Sequence, residues 1–139
     1  MDMKEKFYNI VGACMDVHSE LRSGLVESIY QEALEFELAD RGIPARREVH
    51  VPILYKNHQL SKHYQMDFVC YDEIIVECKA VGAILPEHRY QLFTYLRLTG
   101  LKYGMLVNFA EQSLHVEKYT YDKDADNFSV FGSTKTISL

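Results

Sequence analysis

The sequence of 139 residues predicts an α/β fold of mixed (α+β) type, a central mixed sheet flanked by helices, and three observations carry that reading. Two stretches near the start repeat apolar residues at three- and four-residue steps, the period of amphipathic helices. Short alternating or β-branched runs follow, separated by turn residues, as strands are. A segment opened by Pro86 and closed by Gly100 then interrupts the strands. The strand after it must rejoin the sheet by a crossover, so the sheet is mixed rather than a repeated βαβ unit.

The first helix runs from Met3 to about Leu21, with Phe7, Ile10, Val11, Cys14, Val17 and Leu21 on one face. Arg22-Ser23-Gly24 interrupts it, and Ser23 is placed to cap a second helix from about Leu25 to Asp40. Val26, Ile29, Ala33, Phe36 and Leu38 are that helix's apolar residues, and Gly42 with Pro44 ends it. Glu27, Tyr30, Gln31 and Leu34 share a separate stripe along it. Alternation then begins near Arg46, setting Val49, Val51 and Ile53 against Glu48, His50 and Pro52. Pro52 marks an edge or irregular strand.

Lys56-Asn57-His58 reads as a turn, and Leu60–Tyr71 and Ile74–Lys79 as the next two strands, joined by a hairpin at Tyr71-Asp72-Glu73. Leu92, Tyr95, Leu96 and Leu98 give the Pro86 helix its apolar side. Tyr103–Phe109 and Leu114–Tyr121 complete the strands around an Ala110–Ser113 turn. Residues 1–121 thus read as a single domain and 122–139 as a C-terminal extension. The extension is polar and small-residue rich, for which disorder is the default. Phe128-Ser129-Val130-Phe131 is the exception, suited to an added strand or to contact with a second copy in a homo-oligomer, with Phe128 and Phe131 as anchors.

Charge placement supplies the functional signal. The run Ile74-Ile75-Val76 passes straight into Glu77-Cys78-Lys79, and an unbroken β-branched run suggests burial on both faces. Glu77 and Lys79, two apart, point to one side of the sheet. Burying charge there costs several kcal/mol unless it is paired or holds a metal. The hairpin brings Asp67 beside Glu77. Two carboxylates and a lysine at one sheet edge are what metal-dependent phosphodiester cleavage requires; the plainer reading is a cross-strand ion pair on a solvated face.

Composition sets bounds. No apolar stretch is long enough to span a bilayer and the N-terminus is charged, so we expect a cytoplasmic protein with no membrane partner. The cysteines Cys14, Cys70 and Cys78 form no CxxC pair and read as small buried apolar residues. A net charge of −5 argues against tight, non-specific binding of long duplex DNA. The basic clusters Arg41-Arg46-Arg47, Lys56-His58-Lys62-His63 and His88-Arg89 are modest and local.

The element order, with Asp67 on one strand and Glu77-x-Lys79 on the next, resembles the PD-(D/E)XK nuclease superfamily, whose restriction-endonuclease-like core is αβββαβ. Gln91-Leu92-Phe93-Thr94-Tyr95 is similar to the QxxxY motif of RecB-type exonucleases. Gly24-Leu25-Val26-Glu27-Ser28-Ile29-Tyr30 resembles the signature of the GxxExxY protein family, as do Val17-His18, Leu85-Pro86, Tyr95-Leu96 and Asn108-Phe109. The resemblance runs from about Ile10 to Phe109. Three departures stand out: Met66 replaces the usual proline before the aspartate, Arg22-Ser23 replaces Gly-Pro, and three cysteines cannot hold the iron–sulfur cluster of some RecB-type members.

The resemblance implies a nuclease acting on DNA or RNA with Mg2+ (or Mn2+). The metal ligands would be Asp67, Glu77, the backbone carbonyl of Cys78, and Glu27 from the neighbouring helix. Lys79 would orient or deprotonate the attacking water, and Gln91 and Tyr95 would hold the phosphate or the water. Each has a plainer role: Glu27 favoured by the helix dipole, Tyr30 in packing, Gln91 at the surface, His18 as a hydrogen-bonded core histidine. His50, His58, His63 and His115 lack ligand spacing and read as surface. The alternative function is a catalytically inactive nuclease-fold module that binds nucleic acid or a protein partner.

Overall fold

The computed structural model describes all 139 residues. In chain order they form α1 (Met3–Leu21), α2 (Glu27–Asp40), β1 (Ala45–Tyr55), β2 (His58–Cys70), β3 (Ile74–Lys79), α3 (Pro86–Thr99), β4 (Tyr103–Asn108), β5 (His115–Asp122) and β6 (Asn127–Val130). The strands make one six-stranded sheet in the order β1 to β6. Every neighbouring pair is antiparallel except β3–β4, where α3 carries the chain across the sheet and the strands run parallel. No helix is long and apolar enough to cross a membrane.

Two cores sandwich the sheet. Ile74, Val76 and Cys78 of β3 point to one face, under Phe7, Ile10 and Cys14 of α1 and Tyr30 and Leu34 of α2. Ile75 and Leu106 point to the other, under Leu92, Tyr95 and Leu96 of α3. Gly104 on β4 lets α3 come this close, because a Cβ there would sit 2.9 Å from a Leu92 methyl. The three cysteines are buried free thiols.

The structure corrects several expectations. Ser23 does not cap α2; its N-cap is Val26, which makes no side-chain hydrogen bond. Val26, Ile29 and Phe36 are exposed, and the stripe of Tyr30 and Leu34, with Leu38, turns inward instead. Tyr30 can be buried because its hydroxyl donates to the Arg22 carbonyl and accepts from the Leu25 N–H, while its ring stacks on Phe109. On α3, Leu98 is exposed and Phe93 takes the inward place.

The extension after residue 121 supplies β6, paired antiparallel to β5. Phe128 is fully buried, its ring stacked 4.4 Å from Phe93, and Phe131 lies 4.7 Å from Phe7. Both anchors proposed for self-association are therefore engaged within their own chain.

Two irregularities position the functional region. Around Asp67 the β1–β2 ladder pairs Arg47 with Phe68 and Val49 with Met66 but omits Glu48 and Asp67, and Glu48 has φ +55°. Val49 and Met66 pack toward α3 while Phe68 packs toward α1 and α2, so the hairpin turns over at this point. Beyond it, Leu54 to Gln65 are all exposed.

Candidate active site

The β2–β3 ladder stops at the pair Phe68–Val76. Its next pair would be Asp67 and Glu77, and there side chains replace the backbone ladder. The Asp67 N–H donates to Glu77 Oε2 at 2.7 Å, and the Cys78 N–H donates to Asp67 Oδ2 at 2.8 Å. Each carboxylate is thus braced through one oxygen by a backbone donor across the gap. Glu77 is 2% exposed and, with Asn108, is one of only two polar residues among 33 buried ones. A buried carboxylate with a single neutral donor is costly, which makes this pair the candidate functional centre.

Helices reach the pair from both faces of the sheet. From α2, Gln31 Nε2 donates to Glu27 Oε2 at 3.1 Å. From α3, Gln91 Oε1 accepts from Lys79 Nζ at 2.7 Å, fixing the ammonium at the end of β3. Tyr95, one turn further along α3, is nearly buried and packs 5.7 Å from the Tyr64 ring of β2. Behind the site, Asn108 Oδ1 accepts from the Val81 N–H at 3.1 Å and its Nδ2 donates to the Val81 carbonyl at 2.9 Å. That amide clamp fixes the chain as it leaves Lys79.

The electrostatics follow from burial. Burial and the neighbouring Asp67 charge push the Glu77 carboxyl up to about 8. Asp67 is also raised by burial, against the pull of the Cys78 N–H, Lys79, Gln31 and Arg47. Glu27 is raised by burial, with Lys79 opposing and Asp67 adding. Burial and the charges of Glu77 and Asp67 hold the Tyr95 hydroxyl above its usual range. The centre is short of positive charge, a condition a divalent cation relieves.

A family model of the PD-(D/E)XK nuclease superfamily matches residues 4–119. The chain belongs to that superfamily. The crystal structure of SSO0001 is similar in fold, with 24% sequence identity and a TM-score of 0.54 over 66% of this chain. That match spans 48% of the SSO0001 chain, so the present chain covers about half its length. No curated protein matches.

Within this superfamily fold, the sequence-predicted residues Asp67, Glu77, Lys79, Gln91 and Tyr95 gather at one sheet edge. Glu27 is held by Gln31 and lies near enough to Lys79 and Asp67 for their charges to act on it, although no three Asp, Glu, His or Cys side chains are gathered into an ion-sized cluster. The Cys78 side chain points into the opposite core, so this residue serves the site only through its backbone. His18 is hydrogen-bonded to the Glu111 carbonyl at 2.9 Å and takes no part. Gln31, Arg47 and Asn108 were missed as supporting residues. Only Gln31 left a signal, its place one turn from Glu27 on the same stripe.

Proposed function

We propose that this chain is a divalent-metal-dependent nuclease that hydrolyses phosphodiester bonds of DNA or RNA at the Asp67–Glu77 edge. The observation that carries the reading is the buried carboxylate pair, braced by backbone N–H groups and flanked by a lysine held by Gln91. The donor set suits Mg2+ or Mn2+, hard cations that take one or two carboxylates and keep several waters. Asp67, Glu77 and the Cys78 carbonyl would hold the ion, and Glu27 would act on its water shell. Such an ion polarises phosphate oxygens and lowers the pKa of bound water.

The remaining chemistry belongs to the chain's own groups. Lys79 donates hydrogen bonds to the attacking water and offsets negative charge as the phosphate becomes pentavalent. Gln91 fixes the direction of the Lys79 ammonium, and the Tyr95 hydroxyl donates to a phosphate oxygen. Within the superfamily, the motif at Gly24–Tyr30 supports reading the chain as one of the GxxExxY proteins.

Labelled single- and double-stranded DNA and RNA, incubated with and without Mg2+ or Mn2+, test the proposal. We expect metal-dependent cutting that disappears in Asp67→Ala and in Lys79→Ala; cutting that persists in either overturns it. The net charge of −5 on a small chain favours a second reading, a binding module without chemistry. Calorimetric titration with Mn2+ separates the two, since only the nuclease binds the ion in a manner lost in Asp67→Ala.

A further inference from the structure

The outer half of the β1–β2 hairpin has a composition that its place in the fold does not require. Leu54 to Gln65 are all exposed, on the ribbon that ends at Asp67. Lysines on an exposed ribbon commonly serve to block edge pairing, and Lys56 and Lys62 would suffice for that. Blocking does not call for large apolar faces in water, yet Tyr55 is 59% and Tyr64 47% exposed. Nor does it explain why a chain of net charge −5 places no acidic residue between Val49 and Met66. The same interval holds three of the six histidines, two of which, His50 and His63, stack across the hairpin at 4.3 Å.

We propose that this hairpin is a docking arm for single-stranded nucleic acid, which it leads into the Asp67–Glu77 edge. The inference rests on the nuclease reading for what happens at that edge, but not for the binding itself. Lys56 and Lys62 neutralise phosphates along an otherwise acidic molecule. Tyr55, with the Lys56 ammonium 5.4 Å from its ring centroid, and Tyr64 still offer exposed ring surface on which unpaired bases stack, and a duplex, whose base faces are covered, cannot use it. Tyr64 links the arm to the site: its ring lies 5.7 Å from that of Tyr95, and it precedes Asp67 by three positions on the same strand. A base stacked on Tyr64 leaves its phosphodiester beside the carboxylate pair. The shared chemistry is a flexible phosphodiester strand with free bases, which either DNA or RNA supplies.

The test uses the full chain carrying Glu77→Gln, so that binding is read without cutting. Fluorescence anisotropy would follow labelled oligothymidylate, oligouridylate and a hairpin duplex over a range of salt. We expect Lys56→Ala/Lys62→Ala to weaken both single strands about tenfold and to lower the slope of log K against log salt by about 1.4, two phosphates at about 0.7 each. Tyr64→Ala should weaken them about five- to tenfold with the slope unchanged, as loss of a stacking contact requires. The ratio of the two oligonucleotides assigns the sugar.

Unchanged affinity in the double-lysine variant overturns the arm, as does tighter binding of the duplex. Competition by polyglutamate as effective as by oligothymidylate also overturns it, because the patch would then attract any polyanion. The two proposals fail separately. Arm-dependent binding without Mg2+-dependent cutting in the unsubstituted chain removes the nuclease reading alone. Cutting with unaltered binding in the arm variants removes the arm alone.

Discussion

Glu77 on β3 and Glu117 on β5 stand in one row across the sheet, each the register partner of Leu106 on β4. The fold treats them in opposite ways. Arg89 reaches down from α3 and donates to both Glu117 oxygens, at 2.7 and 2.9 Å, with Tyr119 and His115 adding further bonds. These partners, the guanidinium first, draw the Glu117 carboxyl down to about 2. Glu77 receives one backbone N–H and a second carboxylate, and it rises to about 8. The cation nearest at hand, Lys79, is directed at Gln91. One glutamate is completed by the protein. The other is left to hold a proton below about pH 8, at the place where the proposed cation would bind.

The comparison breaks most sharply in activity. We expect Glu77→Gln to reduce metal-dependent cleavage by at least about a thousandfold, since it removes a charged ligand of the ion. Glu117→Gln should stay within about twofold, since that carboxylate faces Arg89 and not the site. Initial rates on a labelled oligonucleotide decide the matter, and equal losses in the two variants would erase the distinction. Next in size is metal affinity. A cation must displace the Glu77 proton, so Mn2+ binding should tighten about tenfold per pH unit up to about pH 8 and then level off. Calorimetry at several pH values, with proton release read from the buffer dependence, checks the slope. A flat profile between pH 6 and 8 would mean that the pair is already ionised.

How much of this was legible in the sequence depended on whether a residue's role was local. Asp67, Glu77 and Lys79 could be read because charge at the end of an apolar β-branched run is conspicuous by itself. The order of elements and the α3 crossover were legible for the same reason, as period and punctuation are local. Asn108 was not, because an amide acquires its role from whatever the fold sets opposite it, and its partner, Val81, lies 27 positions away. The inward face of α2 was misread because Tyr30 looks half polar until Arg22 and Leu25 satisfy its hydroxyl. The extension looked disordered because its one deep anchor, Phe128, is explained only by Phe93 on a different element.

In the metal-free protein the two glutamates should shift stability in opposite directions. Between pH 4.5 and about 8 the folded state holds a Glu77 proton that the unfolded chain has released, so stability falls as pH rises through that window. Glu77→Gln removes the penalty while keeping an acceptor for the Asp67 N–H. We expect its melting temperature at pH 8.5 to exceed that of the unsubstituted chain by about 5 °C. Glu117→Gln should melt lower by a similar amount, because it strips a half-buried Arg89 of its counter-charge. Thermal melts followed by circular dichroism read both signs. A lower melting temperature for Glu77→Gln would show that its carboxylate is not a burden.

The smallest effect is the acid limb of Glu117. Its folded pKa lies below its unfolded value, so its contribution is complete above about pH 4.5 and is lost as pH falls toward about 2. Because the pair is partly open to solvent, the loss should amount to about 1–2 kcal/mol rather than the full value of the shift. Urea unfolding at pH 6 and at pH 3 should therefore show a larger drop for the unsubstituted chain than for Glu117→Gln, which has no proton to take up at that position. The row supplies its own control. Glu77 acts with the opposite sign: between pH 6 and about 4.5 the folded chain keeps a Glu77 proton that the unfolded chain has released, so acidification adds stability in the unsubstituted chain, and Glu77→Gln, lacking that gain, should lose more between the two pH values. Acid sensitivity that vanished in Glu77→Gln instead would reverse the assignment of which carboxylate the fold completes.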